Sequence, residues 1–313
     1  MIDFEIPNIL VRIGLAASFF SNFLMIYLTL FHIKKLTGTY KKMVIMFAIC
    51  GIMFTSVEVI ARPFSHNYNK SVIYFSLNTY LSPRTLQIFL VLWAGFFSGI
   101  TGLIAIQFIY RFLCLCHIKK AKKFERMSNI IWMVYPLIPG GLFGSSFILF
   151  CIPDKYTDDY MKEIIFDTYG FVIGELSRFI IIPYDSDDCL RWKNLFPLLL
   201  GVFLVWFHYV IMLYCVFKMH FNMKKELIKF SVRHRKLHKQ FFYALVAQSL
   251  GPTVLMALPV APIFIAPLIS PYIDLEISWQ TGWLHLLFGL YPPFDSCAFI
   301  LIVSEYRKVV KSE

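Results

Sequence analysis

The chain has 313 residues, a length that would suit about two soluble domains. Hydrophobic residues make up 58% of it and charged residues 16%, against roughly 45–50% and about 25% in soluble proteins, which excludes that organisation. A net charge of +11 raises nucleic-acid binding. The Lys and Arg, however, sit in short segments beside apolar runs, where anionic inner-leaflet lipids attract them, so we expect membrane lipids and no nucleic acid as partners.

Seven apolar runs meet the length of about 20 residues that a bilayer span requires. They fall near 9–33, 43–61, 86–110, 129–151, 195–217, 241–268 and 279–303. The reading is an all-α membrane protein, a single seven-transmembrane bundle over 1–313.

In chain order, the segment before the first span is short and acidic, with Asp3 and Glu5. It lacks the positive region of a cleavable signal peptide, so the first span is expected to be its own insertion signal. Arg12 can snorkel to headgroups. Glu58 and Arg62, four apart near the outer end of the second span, share a helix face and are predicted to pair. The next loop carries Asn69-Lys70-Ser71, a glycosylation sequon. The third span holds Gln87 and Trp93 in its outer half and ends on Tyr110-Arg111. That Arg either anchors the helix at the interface or faces a cavity that opens for a partner. The fourth span contains Pro136 and Pro139 with Gly140, Gly141 and Gly144.

Residues 152–194 form the longest connection, with nine acids against five bases. Cys151 and Cys189, at or near the oxidising side, are candidates for a disulfide. Trp206 and His208 lie near mid-depth in the fifth span, and a basic segment with Arg233, Arg235 and Lys239 follows. Pro252, Pro259 and Pro262 bend the sixth span, as packing or as a hinge. The seventh holds Gln280, Trp283 and His285 in its outer half, then Pro292, Pro293 and Asp295. A central Asp in a span costs roughly 2.5–3.5 kcal/mol on the insertion scale, so Asp295 is expected to face the interior and to serve function.

The segments after the first, third, fifth and seventh spans hold 21 of the 30 basic residues. Lys- and Arg-rich loops stay in the cytoplasm, which places the N-terminus outside and the C-terminus inside. Gln87, Trp93, Trp206, His208, Gln280, Trp283 and His285 supply the aromatic and sparse polar groups of a small-molecule site. No internal repeat suggests a transporter of duplicated halves. No His-Glu-x-x-His motif, paired catalytic Asp or Gly-x-Ser-x-Gly points to an enzyme. No metal and no cofactor is expected.

Several short motifs recur in order: Ser21-Asn22-Phe23-Leu24, Gly38-Thr39-Tyr40-Lys41, Tyr110-Arg111-Phe112, His238-Lys239-Gln240 with Ala244 to Gln248 and Pro252, and Tyr291-Pro292, Asp295 and Glu305-Tyr306-Arg307. Together they resemble the nematode seven-transmembrane chemoreceptors of the Str serpentine type. The resemblance implies a G-protein-coupled receptor fold and an olfactory-type role in the plasma membrane, often of sensory cilia. It implies an odorant or pheromone-like ligand and a heterotrimeric G protein as partners. Tyr110, Arg111, Arg233, Arg235, Lys239, Pro259, Pro292 and Asp295 would serve coupling and activation.

Two departures stand out. Ser296 follows the seventh-span Asp where the family has Pro, and no Cys lies at the outer end of the third span. A ligand-gated cation channel of chemoreceptor type is the alternative, but its opposite orientation conflicts with the loop charges. A tag on the N-terminus should stain on unpermeabilised cells; staining only after permeabilisation would contradict this topology.

Overall fold

The computed structural model describes residues 5–33, 38–127, 129–228, 231–272 and 276–312. Among the described residues, seven helices are long and apolar enough to cross a membrane: Ile6–His32, Gly38–Ala61, Pro83–Cys116, Ile131–Phe150, Trp192–Met223, Arg235–Tyr272 and Thr281–Ile302. They fall on the seven expected spans. The third, fifth and sixth run further, because their helical pattern continues into the basic segments beyond the apolar stretch.

The helices are α1 (Glu5–Tyr27), α2 (Gly38–Ala61), α3 (Pro83–Cys116), α4 (Ile118–Met127), α5 (Asn129–Val134), α6 (Leu137–Phe150), α7 (Lys155–Tyr169), α8 (Trp192–Leu227), α9 (Val232–Pro252), α10 (Leu258–Ile269), α11 (Tyr291–Ile302) and α12 (Ser304–Ser312). Helix α3 starts sharply. Ser82 caps it by accepting from the Thr85 backbone N–H, and Pro83 follows, where a missing N–H does no harm. It is the most buried of the seven spans and packs on α2, α6 and α8.

Apolar burial gives little drive between helices already in lipid, so close backbone packing has to supply it. Glycines allow that here. A Cβ on Gly140 of α6 would lie 2.8 Å from the Gly95 carbonyl oxygen of α3, and one on Gly99 would lie 3.0 Å from the Pro136 oxygen. The prolines break regularity where expected. A turn at Tyr135-Pro136 separates α5 from α6. Pro252 ends α9, and a wide π-helical turn, Thr253–Ala257, leads into α10. There the Thr253 hydroxyl donates to the Ser249 carbonyl at 2.6 Å, which helps satisfy the loosened backbone.

The all-helix expectation is incomplete. Four strands, β1 (Pro63–Tyr68), β2 (Ser71–Ser76), β3 (Arg178–Ile181) and β4 (Ser278–Trp279), form an antiparallel sheet in the order β3-β2-β1-β4. It covers the bundle end opposite the basic segments. The β-branched and aromatic run Val72-Ile73-Tyr74-Phe75 suits a strand buried on both faces. Asn69, at φ 44°, makes the tight turn between β1 and β2. Helix α7 lies over the sheet, with Met161, Ile165 and Tyr169 packed against Ile73, Phe75 and Ile180. It begins with a capping box between Asp154 and Thr157 and ends at Gly170, φ 72°. The acidic connection is therefore folded: Arg178–Asp158 (2.6 Å) and Arg191–Asp154 (2.8 Å) pair within it, and Lys70 of the β1–β2 turn pairs with its Asp188 (3.0 Å).

Two expected pairs do not form. Cys151 and Cys189 are free thiols. Cys151 is buried at the end of α6, where its carbonyl accepts from the Ile180 N–H of β3. Cys189 is exposed in a hairpin held by the Asp185 carboxylate. The Glu58 and Arg62 side chains also form no pair: the Arg62 N–H still closes the last turn on the Glu58 carbonyl at 2.8 Å, but at φ 41° Arg62 leaves the helix and its side chain diverges from the Glu58 face.

Gly140→Val should lower the melting temperature of the detergent-solubilised protein by several degrees, about 1–3 kcal/mol of overpacking. Gly141→Val should change little, since a Cβ there meets nothing within 4 Å.

Candidate functional site

Beneath the sheet, the third, fourth, sixth and seventh spans enclose a cavity of about 50 Å³. Its walls are aromatic: Tyr74 of β2, Trp93 and Phe97 of α3, Phe143 and Phe147 of α6, Phe264 of α10, and His285 and Phe288 of the seventh span. Trp93 stacks on Phe288 with ring centres 5.3 Å apart and lies 5.0 Å from the His285 ring. Both Trp93 and His285 belong to the site read from the sequence.

A polar strap closes the cavity toward the sheet. Thr281 donates to Asn67 Oδ1 at 2.7 Å, Asn67 Nδ2 donates to the Ile263 carbonyl at 2.9 Å, and Ser65 shares a hydrogen bond with Thr281 at 3.0 Å. The strap ties β1 to the sixth and seventh spans. Further out, His66 Nδ1 meets the Tyr169 hydroxyl at 2.8 Å and Nε2 meets Ser278 Oγ at 3.3 Å. Burial pushes the His66 imidazole down to about 4, so it stays neutral near pH 7 and the latch holds without charge. Sequence reading missed Ser65, Asn67 and Thr281. The signal for Ser65 and Asn67 was a run of polar residues in a short strand, and Thr281 at the start of the seventh span had none.

The other expected ligand residues lie elsewhere. Gln87 donates to the Arg178 carbonyl at 3.4 Å and ties α3 to β3. Trp283 donates to Gln280 Oε1 at 3.1 Å, and its ring packs on Phe64 at 6.2 Å, outside the cavity. Trp206 is 61% exposed on the outer face of α8, so it faces lipid. His208 is buried but distant. Its Nδ1 meets the Leu204 carbonyl at 2.7 Å and its Nε2 the Tyr135 hydroxyl at 3.0 Å, which fastens α8 to the fourth span.

At the basic end, Arg111 is only 8% exposed. Its guanidinium carbon lies 3.2 Å from the ring centre of Tyr40 (α2) and 3.8 Å from that of Phe241 (α9). Nε and Nη2 have no hydrogen-bond partner, so two aromatic faces hold the cation, an arrangement worth about 0.5–2 kcal/mol per face. Phe299 and Tyr306 extend the aromatic cluster into α11 and α12. Tyr110 donates to Glu125 Oε1 at 2.6 Å and tethers α4.

Asp295 is buried and accepts from Gln248 Nε2 at 2.9 Å, joining the sixth and seventh spans. Ser296 donates to Asn22 Oδ1 at 2.7 Å and joins the seventh to the first. Pro292 is packed on α2, where a Cβ on Gly51 would come within 3.0 Å of it, and Pro259 is buried in α10. Arg235 and Lys239 line a groove of about 570 Å³ between α8 and α9, with Phe221, Ile228 and Tyr243. The side chain of Arg233 lies outside the described residues. Asn69 holds the sheet turn, its Oδ1 accepting from the Ile277 N–H at 2.9 Å.

The profile of the family described as serpentine type 7TM GPCR chemoreceptor Str matches residues 8–311. A Caenorhabditis elegans relative, G-protein coupled receptor str-33, is 35% identical over 294 residues, covering 91% of this chain and 84% of that one. Serpentine receptor class r-10 of the same organism is 26% identical over 305 residues, covering 95% and 88%. Squid rhodopsin superposes with a TM-score of 0.54 at 12% identity, over 97% of this chain and 79% of that one, which shows a shared fold. The chain therefore belongs to the Str family of serpentine seven-transmembrane chemoreceptors, and is a chemosensory G-protein-coupled receptor.

Proposed function

We propose that the protein senses a small, largely apolar external chemical in the aromatic cavity and passes the signal to a heterotrimeric G protein at its basic end. In this reading the N-terminus and the sheet face outward, the basic end lies in the cytosol, and the receptor works in the plasma membrane of a sensory cilium. The positive loops support that orientation, and the sequon at Asn69 would lie on the outer side, on a sheet turn. The cavity's size and aromatic lining suit an odorant of few heavy atoms.

The observation that carries the proposal is the reach of the sixth span. Val260, Ile263 and Phe264 of α10 line the cavity, while Phe241 of α9 covers Arg111 at the opposite end. The Pro252 break and π-helical turn lie between them. A ligand that fits better when α10 is displaced biases that joint, since it shifts a two-state equilibrium only by its differential affinity. Tilting α9 withdraws Phe241 and bares Arg111, with Arg235 and Lys239 on the adjoining groove. The cage amounts to a few kcal/mol, comparable to the gap between conformers that such ligands overcome. Asp295, hydrogen-bonded to α9 through Gln248, moves with the same joint.

Phe241→Leu keeps an apolar side chain but removes one aromatic face. It should raise ligand-independent nucleotide exchange on a co-expressed G protein by several-fold. Arg111→Gln should abolish stimulated exchange at unchanged surface expression. If Phe241→Leu leaves basal exchange unchanged, the cage does not restrain the receptor. If wild-type receptor at the surface drives no G protein under any stimulus, coupling itself is refuted.

A further inference from the structure

Beside the aromatic cavity lies a second, smaller one of about 20 Å³ at the ends of α1, α2 and the seventh span. Glu58, Arg62, Pro63, Gly282 and His285 are among its walls. Glu58 is 1% exposed, and neither carboxylate oxygen has a hydrogen-bond partner. The Trp93 indole N–H is the group that faces it, outside strict hydrogen-bond geometry. The carboxylate rests on Gly289, where any Cβ would come within 2.8 Å of Oε2. An isolated charge is costly to hold away from water, so a carboxyl buried against a glycine carries its charge only where a cation comes against it.

His285 is a wall common to both cavities. Its contacts to the Pro63 carbonyl (3.3 Å) and Ser65 Oγ (3.4 Å) are long for hydrogen bonds, and its ring packs on Trp93, Phe288 and Tyr74, so a ligand spanning both cavities takes the ring's place among those aromatic faces. The smaller cavity has room for about one water-sized group, and the larger for about four. Trp93, Tyr74 and Phe288 offer the aromatic faces that attract the carbons next to a cationic nitrogen.

We propose that Glu58 is the counter-charge for the ammonium group of a compact alkylamine whose hydrocarbon end fills the aromatic cavity. This rests on the reading of that cavity as the ligand site. Arg62 is the like charge on the opposing wall. Its backbone turn at φ 41° carries it away from Glu58, in the field of Tyr80 and Arg12.

The test is thermal unfolding of the purified full-length receptor with isoamylammonium chloride or the neutral isostere isoamyl alcohol. Wild type should show a saturable rise in melting temperature with at least about tenfold preference for the ammonium, the size of one modest charge pair. Glu58→Gln should lose the preference and bind both alike, and Arg62→Met should tighten ammonium binding. Equal binding of the two probes by wild type overturns the charge claim while leaving the aromatic site standing. So does an undiminished preference in Glu58→Gln. An ammonium affinity that survives Phe288→Ala unchanged overturns the aromatic site and leaves Glu58 as a bare cation site. A rise produced as well by sodium chloride, but not by N-methylglucamine chloride, makes the cation inorganic and refutes the amine. No stabilisation of wild type by millimolar isoamylammonium also refutes it. Should Glu58→Gln fail to fold, the two-probe comparison on wild type, with Glu58→Asp beside it, still decides.

Discussion

The close approach of α3 to its neighbours is the constraint on which everything else rests. A lipid-embedded bundle gains little from burying apolar side chains against one another, so contact must come from backbones that can touch. Gly95 and Gly99 on α3, with Gly140 and the Pro136 carbonyl on the fourth span, provide that contact. Helix α3 thereby becomes the axis of the protein, with Trp93 in the aromatic cavity at one end and Arg111 in its aromatic cage at the other. The ends are joined by one stiff helix on one side and by a jointed sixth span on the other. One side can therefore move while the other stays as reference.

Several polar groups inside the bundle bridge spans. Ser18, Asn22, Thr55 and Ser296 form a hydrogen-bonded chain across the first, second and seventh spans. Asp295 with Gln248 continues it to the sixth. The Ser that replaces the family's usual Pro after Asp295 is thus a structural member of this chain. At the basic end the cation of Arg111 is held by aromatic faces, which are soft restraints compared with a buried ion pair. A restraint of that strength suits a conformational gap of a few kcal/mol.

Much of this was legible in the sequence. The spans follow from apolar run length alone, Trp93 and His285 were among the aromatic and polar groups read as a small-molecule site, and Arg111 was read as either an interfacial anchor or a residue facing a cavity. What was not legible depends on rotation and on distant partners. Helix α8 is apolar nearly all round, so nothing local says that Trp206 faces lipid while His208 faces the fourth span. Tyr40 and Phe241 are far from Arg111 in sequence, and only the folded bundle brings them together. The sheet escaped because its strands are short and read as loop between spans. Folding residues 152–194 onto that sheet is also what keeps Cys151 and Cys189 apart.

In the proposed mechanism the aromatic cage on Arg111 holds α9 against α3. Spin labels at Lys119 on α4 and Lys236 on α9, in a background with Cys189 and Cys297 replaced, would report that separation by pulsed dipolar spectroscopy. One short distance is expected in the otherwise wild-type receptor, and a second population, longer by several ångströms, once Phe241 is changed to Leu. A single unchanged distance in both proteins would contradict that mechanism.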